Sequence, residues 1–231
     1  MNVELKKCFA FSGHQIISVI GSGGKTSLIK HLSKAFPMEK ILVSTTTKIL
    51  MPKKGEYGKA VVVGDKLTID SVEKLQMPKD KNFIKSFAQY DKVFLESDGS
   101  KGYPLKGWAD DEPVILAETT ITIAMLPLTV IGKQANEKNI HRLHLWLKCC
   151  HLQKGALISE EALVKMIVAE NGLLHKTRGE VILFFNQVES QEQLESAKKI
   201  IELLPERHKR KISKVIAGSV FENKGEILYS M

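Results

Sequence analysis

One run constrains the fold of this chain more than any other: the apolar stretch Ile16-Ile17-Ser18-Val19-Ile20 leads directly into Gly21-Ser22-Gly23-Gly24-Lys25-Thr26-Ser27. Behind it Leu28, Ile29, Leu32, Ala35 and Phe36 recur at helical spacing, and Pro37 closes the pattern. A buried strand, a glycine turn and an amphipathic helix in that order open a βαβ unit, which commits the chain to a sheet with parallel strands. The glycines permit a tight turn that gathers backbone N–H groups around an anion, and the helix adds the positive end of its dipole. Gly21, Ser22, Gly23, Gly24, Lys25, Thr26 and Ser27 are therefore the expected nucleotide-phosphate loop. In it Lys25 neutralises the outer phosphates and Thr26 offers its hydroxyl to Mg²⁺. As a loop cation, Lys25 is expected to govern ligand affinity and to matter little to the stability of the empty protein.

The loop is shorter than the common G-x-x-x-x-G-K-[ST], which needs glycine where Val19 stands. The remaining G-x-x-G-K-T resembles the loop of Mur ligases.

Apolar runs at residues 15–20, 40–44, 60–63, 92–96, 120–126, 181–185 and 214–217 alternate with helical patterns. Several are too uniformly apolar for a half-exposed strand, so helices should cover both faces. The expectation is one α/β domain over 1–231, P-loop NTPase-like, with a mostly parallel sheet and a small helical insertion or cap at about 132–174. Ser190 with Gln193 reads as a capping box opening a helix whose Leu194, Ala197, Ile201 and Leu204 share a face. The net charge of +8 suits anionic ligands, yet the lysines are scattered except in Arg207-His208-Lys209-Arg210-Lys211, which reads as a solvated helix end. Aromatics do not alternate with that run, so nucleic acid is not an expected partner. Three cysteines, two of them adjacent, cannot build a disulfide framework, and no long apolar span or signal core is visible. A cytoplasmic protein with no membrane partner is expected; its oligomeric state is not legible.

After the strand at 92–96 comes Glu96-Ser97-Asp98-Gly99-Ser100-Lys101. Carboxylates at the end of a strand beside a phosphate loop can hold Mg²⁺ or act as a base, so Lys25, Glu96 and Asp98 are the expected catalytic residues and Thr26, Glu96 and Asp98 the expected metal set. Thr46, Thr47 and Lys48 follow the second strand, at 40–44, and are expected to face a second substrate. Asn186-Gln187-Val188-Glu189 resembles the base-reading N-K-x-D of GTP-binding domains, and Ala217-Gly218-Ser219 their further base-contacting loop. This makes Asn186 a nucleotide-binding candidate, while the longer acid and the missing lysine leave ATP and GTP both open. A helix through residues 135–150 would put His141, His144 and Lys148 on one face, with His141-Arg142 as an anion contact; Cys149 and Cys150, without a C-x-x-C partner, read as apolar residues and not as zinc ligands.

Taken in order, Ile20 to Thr26, Ser44 to Lys48, Glu96 to Lys101 with Pro104-Leu105-Lys106, Glu112-Pro113-Val114-Ile115, Gly132 and His141-Arg142 resemble the YqeC family, accessory proteins assigned to selenium-dependent molybdenum hydroxylases. The resemblance implies a protein that binds a nucleoside triphosphate, ATP or GTP with Mg²⁺, and assists maturation of such a hydroxylase or its cofactor. Lys101, Lys106, Glu112, His141 and Arg142 would then face the second substrate. Ser97 departs from the family's usual Ala. Two other readings stand beside an NTP-hydrolysing one: a nucleotide-gated chaperone without chemistry of its own, and a Mur-like ATP-dependent ligase.

Overall fold

The computed structural model describes residues 3–80 and 82–231. Its frame is a nine-stranded sheet made of β1 (Val3–Glu4), β2 (Gln15–Gly21), β3 (Ile41–Thr45), β4 (Val61–Val62), β5 (Lys92–Glu96), β6 (Ile121–Pro127), β7 (Glu180–Asn186), β8 (Lys214–Ser219) and β9 (Lys224–Ser230). The spatial order is β1-β9-β8-β7-β6-β2-β5-β3-β4. The run from β8 to β4 is parallel throughout, and β9 and β1 add an antiparallel edge. The chain first lays down one half, β2 to β5, and then crosses to build β6, β7 and β8 on the other side of β2. The glycine loop thus leaves the sheet where the winding direction changes, and a crevice opens at the strands' carboxyl ends at such a point.

The parallel strands are buried on both faces, as their apolar runs require. Ile17 and Val19 of β2 pack in one layer with Leu5 and Phe9 of the short helix α1 (Leu5–Phe9) and with Leu28, Ile29 and Leu32 of helix α2 (Lys25–Ala35). The alternate residue Ile20 joins the opposite layer, which holds Trp146, Leu163 and Ala197 from α3 (Leu143–Cys150), α4 (Glu160–Val168) and α5 (Gln191–Leu203). Toward β3 and β5 that second face is covered by a 3₁₀ turn, Ile84–Gln89, whose Phe87 meets Val93 and Leu95. The capping box is present: Ser190 accepts from the Gln193 N–H, and the Gln193 side chain bonds back. The basic run lies at the end of the short helix Glu206–Lys209, with Arg207, Arg210 and Lys211 exposed but His208 buried.

Two local expectations are corrected. The helix expected over 135–150 begins only at Leu143, because Ile140–His141 pairs as a short parallel strand with Leu105–Lys106 and Arg142 takes a left-handed backbone, φ 54°. His141 therefore precedes the helix. Residues 48–76 also carry a three-stranded antiparallel sheet, Lys48–Leu50, Asp65–Ile69 and Val72–Gln76, whose half-exposed strands lack the apolar density used to find strands above. Among the described residues no helix is long and apolar enough to cross a membrane.

Candidate functional site

The loop is held by close backbone approach as well as by glycine freedom. Gly23 has φ 80°, and a Cβ there would lie 2.5 Å from the Pro127 ring. Gly24 has φ 122° and stands against the Asn186 amide. Gly24 is also the N-cap of α2, and among the described residues no side chain caps that helix, so its first N–H groups face the loop without a side-chain acceptor from them. Ser22 is buried, its N–H bonded to Met125 O at 3.0 Å, and Ser27 is exposed in the first turn.

Lys25 is buried and folds back over its own loop. Its Nζ donates to Gly21 O at 2.7 Å and lies 3.2 Å from Asp98 Oδ1 and 3.9 Å from Glu96 Oε1. Parallel pairing explains the convergence, since Val19 sits beside Glu96 and brings both carboxylates under the loop. Thr26 Oγ1 donates to Glu96 Oε2 at 2.8 Å. Asp98 is fully buried, and its Oδ2 accepts from Gly21 N–H and Trp108 Nε1, each at 2.9 Å. Its Oδ1 has no hydrogen-bond partner among the described residues.

The two acids titrate in opposite directions. Burial pushes the Glu96 carboxyl above its ordinary range, only partly offset by Lys25 and the Thr26 hydroxyl. Burial acts the same way on Asp98, but there Lys25, Lys106 and the Gly21 and Trp108 donors together outweigh it and hold the carboxyl low. Glu96 thus holds a proton more tightly than an ordinary glutamate, and Asp98 less tightly than an ordinary aspartate.

From Asp98 the charges continue outward. Lys106 Nζ, also fully buried, lies 3.4 Å from Asp98 Oδ2 and donates to Gly99 O at 2.7 Å and Glu112 Oε2 at 2.6 Å. Glu112 in turn accepts a two-pronged contact from Arg142, at 2.6 and 3.1 Å. The strand pair Leu105–Lys106 with Ile140–His141 sets this spacing. His141 follows on the same short strand, its ring stacked on Tyr103. Lys25, Glu96, Asp98, Lys106, Glu112, Arg142 and His141 are therefore one contiguous group.

The threonine run does something else. Thr45 Oγ1 donates to Glu96 O at 2.7 Å, Thr46 N–H donates to the same carbonyl at 3.1 Å, and Thr46 Oγ1 bonds Val114 O. These residues fasten the carboxyl end of β5. Thr47 is half-buried, while Lys48 is exposed at the start of the antiparallel sheet, outside the charged group, and Lys101 is exposed in a left-handed turn. Asn186 is buried, with Nδ2 donating to Gly23 O at 2.7 Å and Oδ1 accepting from Val220 N–H at 3.1 Å. Both ends of its amide serve the loop and the β8–β9 turn. Glu189 is exposed and takes Ser219 Oγ at 2.7 Å. Cys150 is buried with its Sγ 3.4 Å from Ala162 O. Trp108 was not legible as a site residue: nothing in its neighbours marks an indole as the donor to a carboxylate ten positions earlier.

The family model for YqeC protein matches residues 17–144, more than half of the chain and the part that carries this charged group. The chain belongs to the YqeC family. A relative with the same family name, "Uncharacterized protein YqeC" of Escherichia coli (strain K12), is 24% identical over 173 residues, which cover 66% of this chain and 67% of that protein. No solved structure matches the chain.

Proposed function

We propose that this YqeC-family chain is a P-loop NTPase-like protein that binds a nucleoside triphosphate with Mg²⁺, hydrolyses it, and acts in the cytoplasm in maturation of selenium-dependent molybdenum hydroxylases or their cofactor. One observation carries the nucleotide reading: a glycine loop at the amino end of an uncapped helix, whose lysine meets two buried carboxylates from the adjacent parallel strand. Gly23 and Gly24 would give backbone N–H groups to phosphate, the Gly21 N–H being bonded to Asp98, and Lys25 would leave Gly21 O and Asp98 for the phosphate oxygens. Asn186 keeps the loop in place from β7.

Among the described residues no three His, Cys, Asp or Glu side chains are grouped to hold a metal by themselves. Thr26, Glu96 and Asp98 Oδ1, which faces the Lys25 ammonium at 3.2 Å and accepts no hydrogen bond among the described residues, nevertheless offer hard oxygen donors, a set that fits Mg²⁺ when phosphates complete its shell. Bound there, Mg²⁺ would neutralise charge on the phosphates. Glu96, with its raised affinity for a proton, is the residue suited to take one from an attacking water or acid. The maturation role rests on the order of the family's motifs, and three free cysteines are in keeping with a cytoplasmic setting.

Calorimetry with Mg²⁺·ATP and Mg²⁺·GTP, together with phosphate release, tests the reading. Binding and turnover are expected for the parent, and absence of both in the parent would sink it. A nucleotide-dependent complex with an immature hydroxylase that forms equally with a non-hydrolysable analogue would favour gating over chemistry.

A further inference from the structure

Beside the charged group lies a cavity of about 490 Å³, walled by Tyr103, Ile140, His141, Leu143 and Leu147, with Arg142 on one side. The amino end of α3 also faces it, and no side chain caps that helix. His144 lies in its first turn, and Lys154 paired with Glu137 forms a solvated rim. Apolar walls beside a stacked Tyr103–His141 pair suit a flat ring. The guanidinium and the open helix end suit an oxyanion. The field is positive: besides burial, Arg142, Lys101 and Lys106 all push His141 toward its neutral form, opposed by Glu112.

A row of ions runs from this cavity to the glycine loop. Lys25, Asp98, Lys106, Glu112 and Arg142 alternate in sign with successive separations of 3.2, 3.4, 2.6 and 2.6 Å. Glu96, 3.9 Å from Lys25, stands beside the row as a third acid. The cations at the two ends, Lys25 and Arg142, can each turn to an outside anion when the inner ions shift toward their other neighbours. An anion that draws Arg142 from Glu112 leaves Glu112 to Lys106, and Asp98 then holds Lys25 more tightly. Phosphate on Lys25 has the mirror effect, leaving Lys106 to Asp98 and Arg142 to Glu112.

We infer that the cavity binds a planar ring bearing a phosphate or carboxylate, held by Arg142 as it leaves Glu112, and that this site and the phosphate loop oppose each other through the buried ion row. The coupling rests on the nucleotide reading above; the cavity site does not. The probe is phenyl phosphate, with benzoate and inorganic phosphate to separate ring from anion, titrated into the full chain with and without metal-free ADP. Phenyl phosphate is expected to bind more tightly than inorganic phosphate, and several-fold more weakly when ADP is present. Benzoate binding nearly as well would assign the anion's role to charge alone, still in this site. Arg142→Ala should abolish binding. Glu112→Gln should tighten it and erase the effect of ADP, which mere loss of a structural contact would not do. Failure of phenyl phosphate to bind the parent, or equal binding by Glu112→Gln, overturns the cavity site. Binding that ignores bound ADP overturns the coupling. A parent that takes phenyl phosphate but no nucleotide leaves the cavity standing and removes the function proposed above.

Discussion

Lys25 carries two duties, and they predict two separate losses. Lys25→Ala should lower nucleotide affinity at least tenfold in calorimetry, since a charge-assisted hydrogen bond contributes about 1.5–3 kcal/mol. The empty protein should suffer as well, contrary to the expectation from sequence, because Lys25 is the near counter-ion of a fully buried Asp98. Removing one partner of a buried pair costs about 3–5 kcal/mol, with Lys106 keeping the loss toward the lower figure here. The two acids predict opposite outcomes. Asp98→Asn takes the fully buried counter-ion from between Lys25 and Lys106, leaving Lys25 only the more distant Glu96, and should lower the melting temperature at pH 7. Glu96→Gln removes a charge that burial disfavours and should raise it. The Glu96 advantage has a pH signature. A carboxyl whose folded pKa is raised contributes stability that is complete below its ordinary 4.5 and fades as pH climbs through the folded value, so Glu96→Gln should outlast the parent above that window and match it below. The Asp98 contribution, with a lowered folded pKa, holds above its ordinary 3.8 and is lost only as pH falls through the lower folded value. Melting curves from about pH 2 to about pH 8 for both amide variants check this, since the Asp98 loss falls below its ordinary 3.8, and both should weaken Mg²⁺·nucleotide turnover.

At the scale of elements, the β2–loop–α2 unit was legible because its instructions are local: an apolar run, glycines, then a periodic helix. Gly23→Ala tests how tightly it is packed. A left-handed backbone costs an alanine about 1–2 kcal/mol, and the new methyl would press on Pro127, where overpacking adds about 1–3 kcal/mol. Urea unfolding should show a loss in that combined range, and nucleotide binding should fall with it. Ser190→Ala gives the contrasting case at α5. The box there was read correctly from two residues, and its loss should cost about 1 kcal/mol in the same assay while leaving nucleotide affinity unchanged. What sequence could not give was the helix start at Leu143. Period alone does not distinguish a residue in a helix from one two positions upstream in a strand, and here pairing with Leu105–Lys106 decided it. The alternation of Lys106, Glu112 and Arg142 was equally invisible as a row, since each residue is a plain polar position until that pairing brings them together.

At the scale of the whole molecule, Asn186 shows how far the loop depends on distant chain. Its amide spans 163 positions to Gly23 and also meets the β8–β9 turn at Val220. Because both ends are used in this way, Asn186→Ala should loosen the loop and weaken ATP and GTP by similar factors in competition binding; a change confined to one nucleotide would instead mean that the amide reads the base. The parallel half of the sheet was foreseen from its apolar runs, whereas the antiparallel edge and the small sheet at 48–76 were not, because one exposed face dilutes the apolar signal that marked the others.

The central position of β2 also sets the order in which the molecule can come into being. Its neighbours β5 and β6 pair with it across long stretches of chain: Gly21 meets Asp98 77 positions on, and Ile16 meets Thr120 104 positions on. Loops of that size must close before the strand gains either partner, which slows folding. A chain part-way through refolding holds the glycine motif intact yet has no neighbour to shape it. Recovery of nucleotide binding after dilution from denaturant should therefore run with the slowest phase of the fold, with no earlier burst of its own.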